Sequence, residues 1–143
     1  MSTYLLDVNV LLALSDPRHI HHDTAHRWFA SRERLAWATC PITENGFVRI
    51  ASHPNYPNRP GDVPAVLSIL RQFCTIEGHH FWAEDISLRD ILQPGMLIPH
   101  SQITDIFLLA LAVHKGGKLA TLDQRISTIV VPGGAQALEL IAL

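Results

Sequence analysis

Five short β-type segments alternate with helical patterns along the chain, and no other feature of the sequence constrains the fold as much. The segments are "TYLLD" (3–7), "RLAWAT" (34–39), "HFWAE" (80–84), "KLATL" (118–122) and "LELIA" (138–142). Between them, Val63, Val66, Leu67, Leu70, Phe73 and Cys74 recur at helical spacing, with Asp62 as a natural N-cap and Pro64 suited to a first turn. Residues 104–115 repeat the theme and stop at Gly116-Gly117. Further helices are expected over 22–31, after the Asp16-Pro17 turn, and more briefly from Ser87 to Leu92. Strands alternating with helices argue for a parallel sheet covered on both faces. The expected architecture is therefore a single three-layer α/β/α domain over residues 1–143, with a central, mostly parallel sheet of about five strands. The one irregular stretch, "HPNYPNRPGDVP" (53–64), carries four prolines and reads as a surface loop.

The chain has 143 residues, 48% of them hydrophobic, which suits one domain that buries roughly two-thirds of its unfolded surface. A formal charge of -2 excludes binding nucleic acid by bulk charge alone, though not by metal ions brought to the phosphates. The charge is uneven. Residues 17–60 hold Arg18, Arg27, Arg32, Arg34, Arg49 and Arg59 against Asp23, Glu33 and Glu44, a local excess of +3. Solvated helix faces explain any one of these arginines; the excess as a group suggests that Arg49, with Arg27 or Arg32, guides the phosphates of a ligand. Cys40 and Cys74 lack metal-type spacing and read as small core residues of a reducing compartment. Apolar runs such as "IFLLALAV" (106–113) are far shorter than the ~20 residues that cross a bilayer. The N-terminus lacks a basic region ahead of its apolar stretch, so the expected location is cytoplasmic.

Within "YLLDVNVLLAL" a single carboxylate, Asp7, interrupts an aliphatic run. Burying it costs several kcal/mol unless a helix N-terminus, a base or a metal ion partners it. Asp7 closes the first strand, Glu44 follows the second, Asp105 opens the 104–115 helix and Asp123 closes the "KLATL" strand. In an open parallel sheet the carboxyl ends of the strands share the edge where ligands bind. Taken singly, Asp7 and Asp105 read equally well as helix N-caps, Asp123 as a turn residue and Glu44 as a first-turn acid. Jointly they are four acids at one edge with one neighbouring base, Arg125. Such carboxylates repel one another unless a divalent cation holds them ionised, and oxygen-only ligands favour Mg²⁺ or Mn²⁺ over zinc. Ions of this kind serve phosphodiester cleavage.

These stretches carry a resemblance. "LLDVNVLLAL", "TENGFVRI" with Glu44, Asn45 and Arg49, "ITDIFLLALA" and "LATLD" together resemble the PIN domain and, more narrowly, the VapC toxins of bacterial toxin–antitoxin modules. "HIHHDTAHRWF" and "WATCPIT" are similar to one VapC subgroup. The resemblance implies a Mg²⁺-dependent endoribonuclease, with Mn²⁺ as the other candidate ion. Asp7, Glu44, Asp105 and Asp123 would be its catalytic, metal-holding quartet, and RNA would be hydrolysed by a metal-activated water. It further implies that Asn9 and Thr121 orient the acids and that Arg49 touches RNA or holds the acidic site together. The implied partners are an RNA substrate, a cognate VapB-type antitoxin and a second copy of the chain in a homodimer or larger toxin–antitoxin assembly, with no membrane.

Rival readings meet specific obstacles. His19, His21, His22 and His26 cluster, and His22 and His26 stand at i, i+4, a spacing that can grip zinc, but no Cys or acid completes a tetrahedral set. The aromatic residues fall at core positions first. An aspartyl phosphatase needs an acid where Asn9 stands, and a phosphate receiver domain needs paired acids and a late lysine. A non-catalytic, metal-bearing module that binds RNA or antitoxin remains an alternative; it predicts no metal-dependent cleavage to lose on Asp7→Asn.

Overall fold

A computed structural model describes residues 2–31 and 35–143. Its strands β1 (Thr3–Leu6), β2 (Ala36–Thr39), β3 (His79–Phe81), β4 (Lys118–Thr121) and β5 (Leu138–Leu140) form one sheet in the order β3-β2-β1-β4-β5. Every pairing is parallel. Parallel neighbours need crossovers, and the helices supply them. These are α1 (Val8–Ser15), α2 (His22–Ala30), α3 (Pro41–Ala51), α4 (Val63–Phe73), α5 (Leu88–Ile91), α6 (Ile103–His114) and α7 (Gly134–Ala137).

Side chains alternate across the sheet and divide the core in two. Leu6, Trp37 and Ala120 face α1 to α4, whereas Leu5, Ala38 and Leu119 face α5 to α7. α6 is buried continuously from Ile106 to Ala112, as expected of a helix that is apolar all round. The result is the expected three-layer α/β/α arrangement. Among the described residues no helix is long and apolar enough to cross a membrane.

Element ends depart from the sequence expectation for local reasons. The third strand starts one residue early and ends at Phe81, although Trp82 N still donates to Thr39 O at 2.8 Å. The fifth ends at Leu140, with Ile141 N donating to Thr121 O at 2.9 Å. Arg34, at the start of the expected second strand, lies outside the described residues. Helix α7 carries no periodic signal because it is four residues long. Gly116 takes the left-handed conformation, φ 70°, that ends α6, where other residues are strained.

Two polar clusters resolve into structural roles. The proline-rich loop is tied to the end of α1, since Tyr56 Oη and Asn58 Nδ2 donate to Asp16 Oδ2 at 2.7 and 2.9 Å. His22 Nδ1 lies 2.7 Å from Ala13 O and His26 Nε2 lies 2.9 Å from Leu14 O, their rings 4.3 Å apart. Each ring thus donates an N–H to a carbonyl left open at the end of α1, the ordinary need of a helix C-terminus. The zinc-like spacing serves a cap.

Candidate active site

The middle strand of the sheet delivers the central acid. β1 lies between β2 and β4, and Asp7 follows its last residue, with its backbone N–H donating to Ala120 O at 3.0 Å. Its side chain is 7% exposed and caps α1, where Oδ1 accepts from Val8 N at 2.7 Å. Oδ2 accepts from Thr121 Oγ1 at 2.8 Å and from Asn9 Nδ2 at 3.5 Å. Asn9 also donates to Thr121 Oγ1 at 3.1 Å and accepts from Leu122 N at 3.1 Å. Asn9 and Thr121 therefore tie the ends of β1 and β4 together and hold the Asp7 carboxylate in place.

Two further acids join it. Asp105 sits half-buried in the first turn of α6, and Asp123 follows β4 by two residues, its backbone N–H donating to Thr121 Oγ1 at 3.1 Å. Burial, opposed by the bonds from Thr121 and Val8 and reinforced by the charge of Asp123, pushes Asp7 above the usual carboxylate range. Burial, then the charges of Asp7 and Asp123, push Asp105 up to about 6, with Arg125 working the other way. Arg125 Nε stands 3.2 Å from Asp123 Oδ1, an ion pair on the rim. Three acids thus share a low-dielectric site in which negative charge is in excess.

An open groove of about 510 Å³ runs from Asp7 and Asp105 along α3, past Asn45, Gly46 and Arg49. α3 approaches α1 closely here: a Cβ on Gly46 would stand 2.8 Å from Val8 Cγ2. Arg49 continues toward His53, Asn55 and Tyr56 along a second, smaller hollow.

The fourth expected acid, Glu44, makes its contacts on another side of α3. It sits in the first turn of α3, but Ile42, Asn45 and Arg49 occupy the groove side of that helix and Glu44 turns to another. Its Oε2 accepts from Thr39 Oγ1 at 2.7 Å, and its carboxylate lies with Cys74 and His79. Asp7, Asp105 and Asp123 act on one another's charge, while the contacts of Glu44 are with Thr39, Cys74 and His79. Among the arginines, Arg49 lines the groove, Arg27 is exposed on α2 with Nη2 3.4 Å from Thr24 Oγ1, and Arg32 lies outside the described residues. Asn45 and Thr104, which line the groove beside Arg49 and Asp105, were not singled out as site residues. Their signal was the helical offset of Asn45 from Arg49 and the position of Thr104 next to Asp105.

Thr121→Val keeps the shape but removes the hydroxyl that serves Asp7, Asn9 and the Asp123 backbone. A loss of about 1–3 kcal/mol is expected in denaturant melts of the metal-free protein, because a buried carboxylate and an amide lose their partner.

The PIN domain family model matches residues 4–131. Ribonuclease VapC44 of Mycobacterium tuberculosis is 41% identical over 134 residues, covering 92% of this chain and 94% of the relative. Ribonuclease VapC38 of the same organism is 40% identical over 142 residues, covering 97% and 98%. Among solved structures, Mycobacterium tuberculosis VapC20, described as a sarcin-ricin loop cleaving toxin, superposes with a TM-score of 0.58 at 12% identity, covering 83% of this chain and 87% of that one. VapBC2 from Rickettsia felis, bound to a DNA fragment from its promoter, gives 0.56 at 14% identity, covering 98% and 99%. The two structural likenesses speak for the fold, and the family match with relatives near 40% identity speaks for descent: the chain belongs to the PIN-domain family and, within it, to the VapC ribonucleases.

Proposed function

We propose that this chain is a Mg²⁺-dependent endoribonuclease, the toxin of a type II toxin–antitoxin pair, which slows translation or growth until a cognate VapB-type antitoxin neutralises it. The observation that carries the reading is the trio Asp7, Asp105 and Asp123 at the carboxyl edge of the sheet, two of them with pKa values raised by burial and mutual repulsion. An all-oxygen donor set of excess negative charge suits a hard divalent cation, Mg²⁺ or Mn²⁺. Such an ion, when bound, supplies positive charge for the developing charge of a phosphodiester and lowers the pKa of water.

The chain's own groups do the rest. Asp7, Asp105 and Asp123 hold the cation, and Thr121 and Asn9 fix the Asp7 carboxylate through their hydrogen bonds. Arg49, which lines the same groove as Asp7 and Asp105, pairs with RNA phosphate and sets the path of the strand. The relatives are named ribonucleases, and the Rickettsia felis protein was solved as a VapBC pair, which supports RNA as substrate and an antitoxin as partner. A homodimer in the cytoplasm completes the reading.

The deciding experiment incubates purified protein and Asp7→Asn with total cellular RNA in Mg²⁺, Mn²⁺ or chelator and maps the new 5′ ends. Discrete cuts that need the cation and vanish in the variant are expected. Equal cleavage by both proteins, or RNA bound but uncut by both, overturns the reading, and the second result points to a binding module. Arg49→Gln is expected to weaken RNA binding across sequences. It should also reduce the slope of log affinity against log salt by about 0.7, the share of one single-strand phosphate contact, in titrations across salt concentrations.

A further inference from the structure

The groove that holds the acids does not end at Arg49. It shares Arg49 and Ile50 with the smaller hollow beside His53, and that hollow shares Tyr56 and Pro57 with a third, of about 570 Å³, which ends on Arg18 and Arg59. A line of three hollows thus runs from Asp7 and Asp105 along α3 and over the proline-rich loop. The loop is internally braced: Asn55 N donates to His53 Nδ1 at 3.0 Å, Tyr56 N to His53 O at 2.9 Å and Arg59 N to Tyr56 O at 3.2 Å. Asp16, the acid in the lining of the third hollow, is buried and its charge is answered. Its Oδ2 accepts from Tyr56 Oη and Asn58 Nδ2, and its Oδ1 accepts from Arg18 N at 3.0 Å. Arg59 Nε donates to Ser52 O at 2.8 Å, which steadies the guanidinium and leaves its two terminal nitrogens for a ligand. Among the described residues no carboxylate pairs with Arg18, Arg49 or Arg59, and all three are exposed.

We propose that this line of hollows is a track for single-stranded RNA beyond the scissile bond, on which Arg18 and Arg59 grip a remote phosphate while Tyr56 and Pro57 receive the face of an unpaired base. For its ligand the track rests on the nuclease reading. The lining selects that ligand. A guanidinium presents a planar fork that matches phosphate oxygens, and two such forks with no competing acid suit an anion of several oxygens. Between them and Arg49 the surface is apolar. Tyr56 is half-buried and its hydroxyl is spent on Asp16, so what it offers the two hollows is its ring, with Pro57 beside it. A duplex hides base faces in its stack, whereas a single strand exposes them to such a platform. Acids, Arg49, an aromatic platform and then two arginines alternate charge with apolar surface, as a single strand alternates phosphate with base. Phosphate contacts position a strand without reading its sequence, so the track supplies affinity and register.

The test measures binding of a labelled single-stranded RNA of about 12 nucleotides to the full chain by fluorescence anisotropy, in chelator and across salt concentrations. Arg18→Gln/Arg59→Gln is expected to weaken binding by roughly tenfold or more at low salt and to lower the slope of log affinity against log salt by about 1.4, the share of two single-strand phosphate contacts. Arg71→Gln, an equal change of charge at an exposed position of α4 that lines none of the three hollows, should leave the slope as it is. On the unmutated chain, thiouridine-substituted RNA should crosslink on irradiation to the peptide that carries Tyr56 when single-stranded and not when paired in a duplex, which decides the matter if the double variant fails to fold. No binding by the parent, a slope unchanged in the double variant, or adducts confined to α3 and α6 overturns the track. So does a double variant that binds RNA like the parent but loses an oligo-glutamate peptide, which would make the third hollow a protein-docking surface. Cleavage plays no part in these readouts. RNA bound along the track but never cut with Mg²⁺ or Mn²⁺ overturns the nuclease reading alone, and discrete cutting by a chain whose RNA binding ignores Arg18 and Arg59 overturns the track alone.

Discussion

Asp105→Asn is expected to cut cation-dependent RNA cleavage by at least about a hundredfold while leaving the metal-free protein as stable as the parent or more so. The two halves of that result have one cause. Asp105 is half-buried beside Asp7 and Asp123, and its charge is unwelcome in the folded state without a cation, which is why its pKa is pushed up to about 6. Asparagine keeps the shape and removes the repulsion, so the thermal midpoint in chelator should hold or rise. It also removes one of three anionic oxygen donors, and charge stabilisation by a bound divalent ion in phosphodiester cleavage amounts to several kcal/mol, with each 1.36 kcal/mol equal to tenfold in rate. Cleavage rates and thermal melts on the same preparation check both halves. Activity and stability falling together would mean that Asp105 is a first-turn acid that supports the N-terminus of α6 and not a ligand.

How much of this was legible before the structure depended on what each feature needs from the rest of the chain. The order of strands and helices was legible because each element announces itself within about ten residues, through period and caps. Asp7 was legible because a carboxylate inside "YLLDVNVLLAL" has to be partnered, and the cap it gives α1 engages only one of its two oxygens locally. Asp105 and Asp123 followed from their positions at element ends, which a parallel sheet gathers at one edge. Glu44 occupies an equally suggestive position and goes elsewhere. A side chain in a first helical turn turns with the helix, and the partners that claim Glu44 come from β2, α4 and β3, up to 35 residues away in sequence for His79. The same limit applies to the arginines. A local excess of charge says that a segment is basic but not which face a given residue occupies, so Arg49 reaches the groove while Arg27 stays on the outer surface of α2. The missed α7 has four residues, too few for any period to show.

A second large effect is expected from pH, with opposite signs for stability and activity. Asp105 titrates near 3.8 in an unfolded chain and near 6 in the folded one, and Asp7 is raised as well. Between those values the folded state binds more protons than the unfolded state, so the metal-free protein gains stability as pH falls from 7 toward 4. The unfavourable contribution of the ionised carboxylates is fully present above about pH 6 and fades toward pH 4. Holding a divalent cation requires those same carboxylates to shed their protons, so cation affinity runs the other way and falls roughly tenfold per pH unit for each proton displaced below about pH 6. Cleavage at limiting Mg²⁺ should therefore drop steeply from pH 7 to pH 5. The Mg²⁺-induced rise in thermal midpoint should be clear at pH 7.5 and absent at pH 5, since a ligand stabilises the fold only as far as it binds. Melts with and without Mg²⁺ across that range, repeated on Asp105→Asn, separate this account from general acid sensitivity. In the variant, the gain in metal-free stability on acidification should shrink, because the group that takes up the proton is gone. An unchanged profile in Asp105→Asn would assign the pH dependence to some other group and remove Asp105 from the cation site.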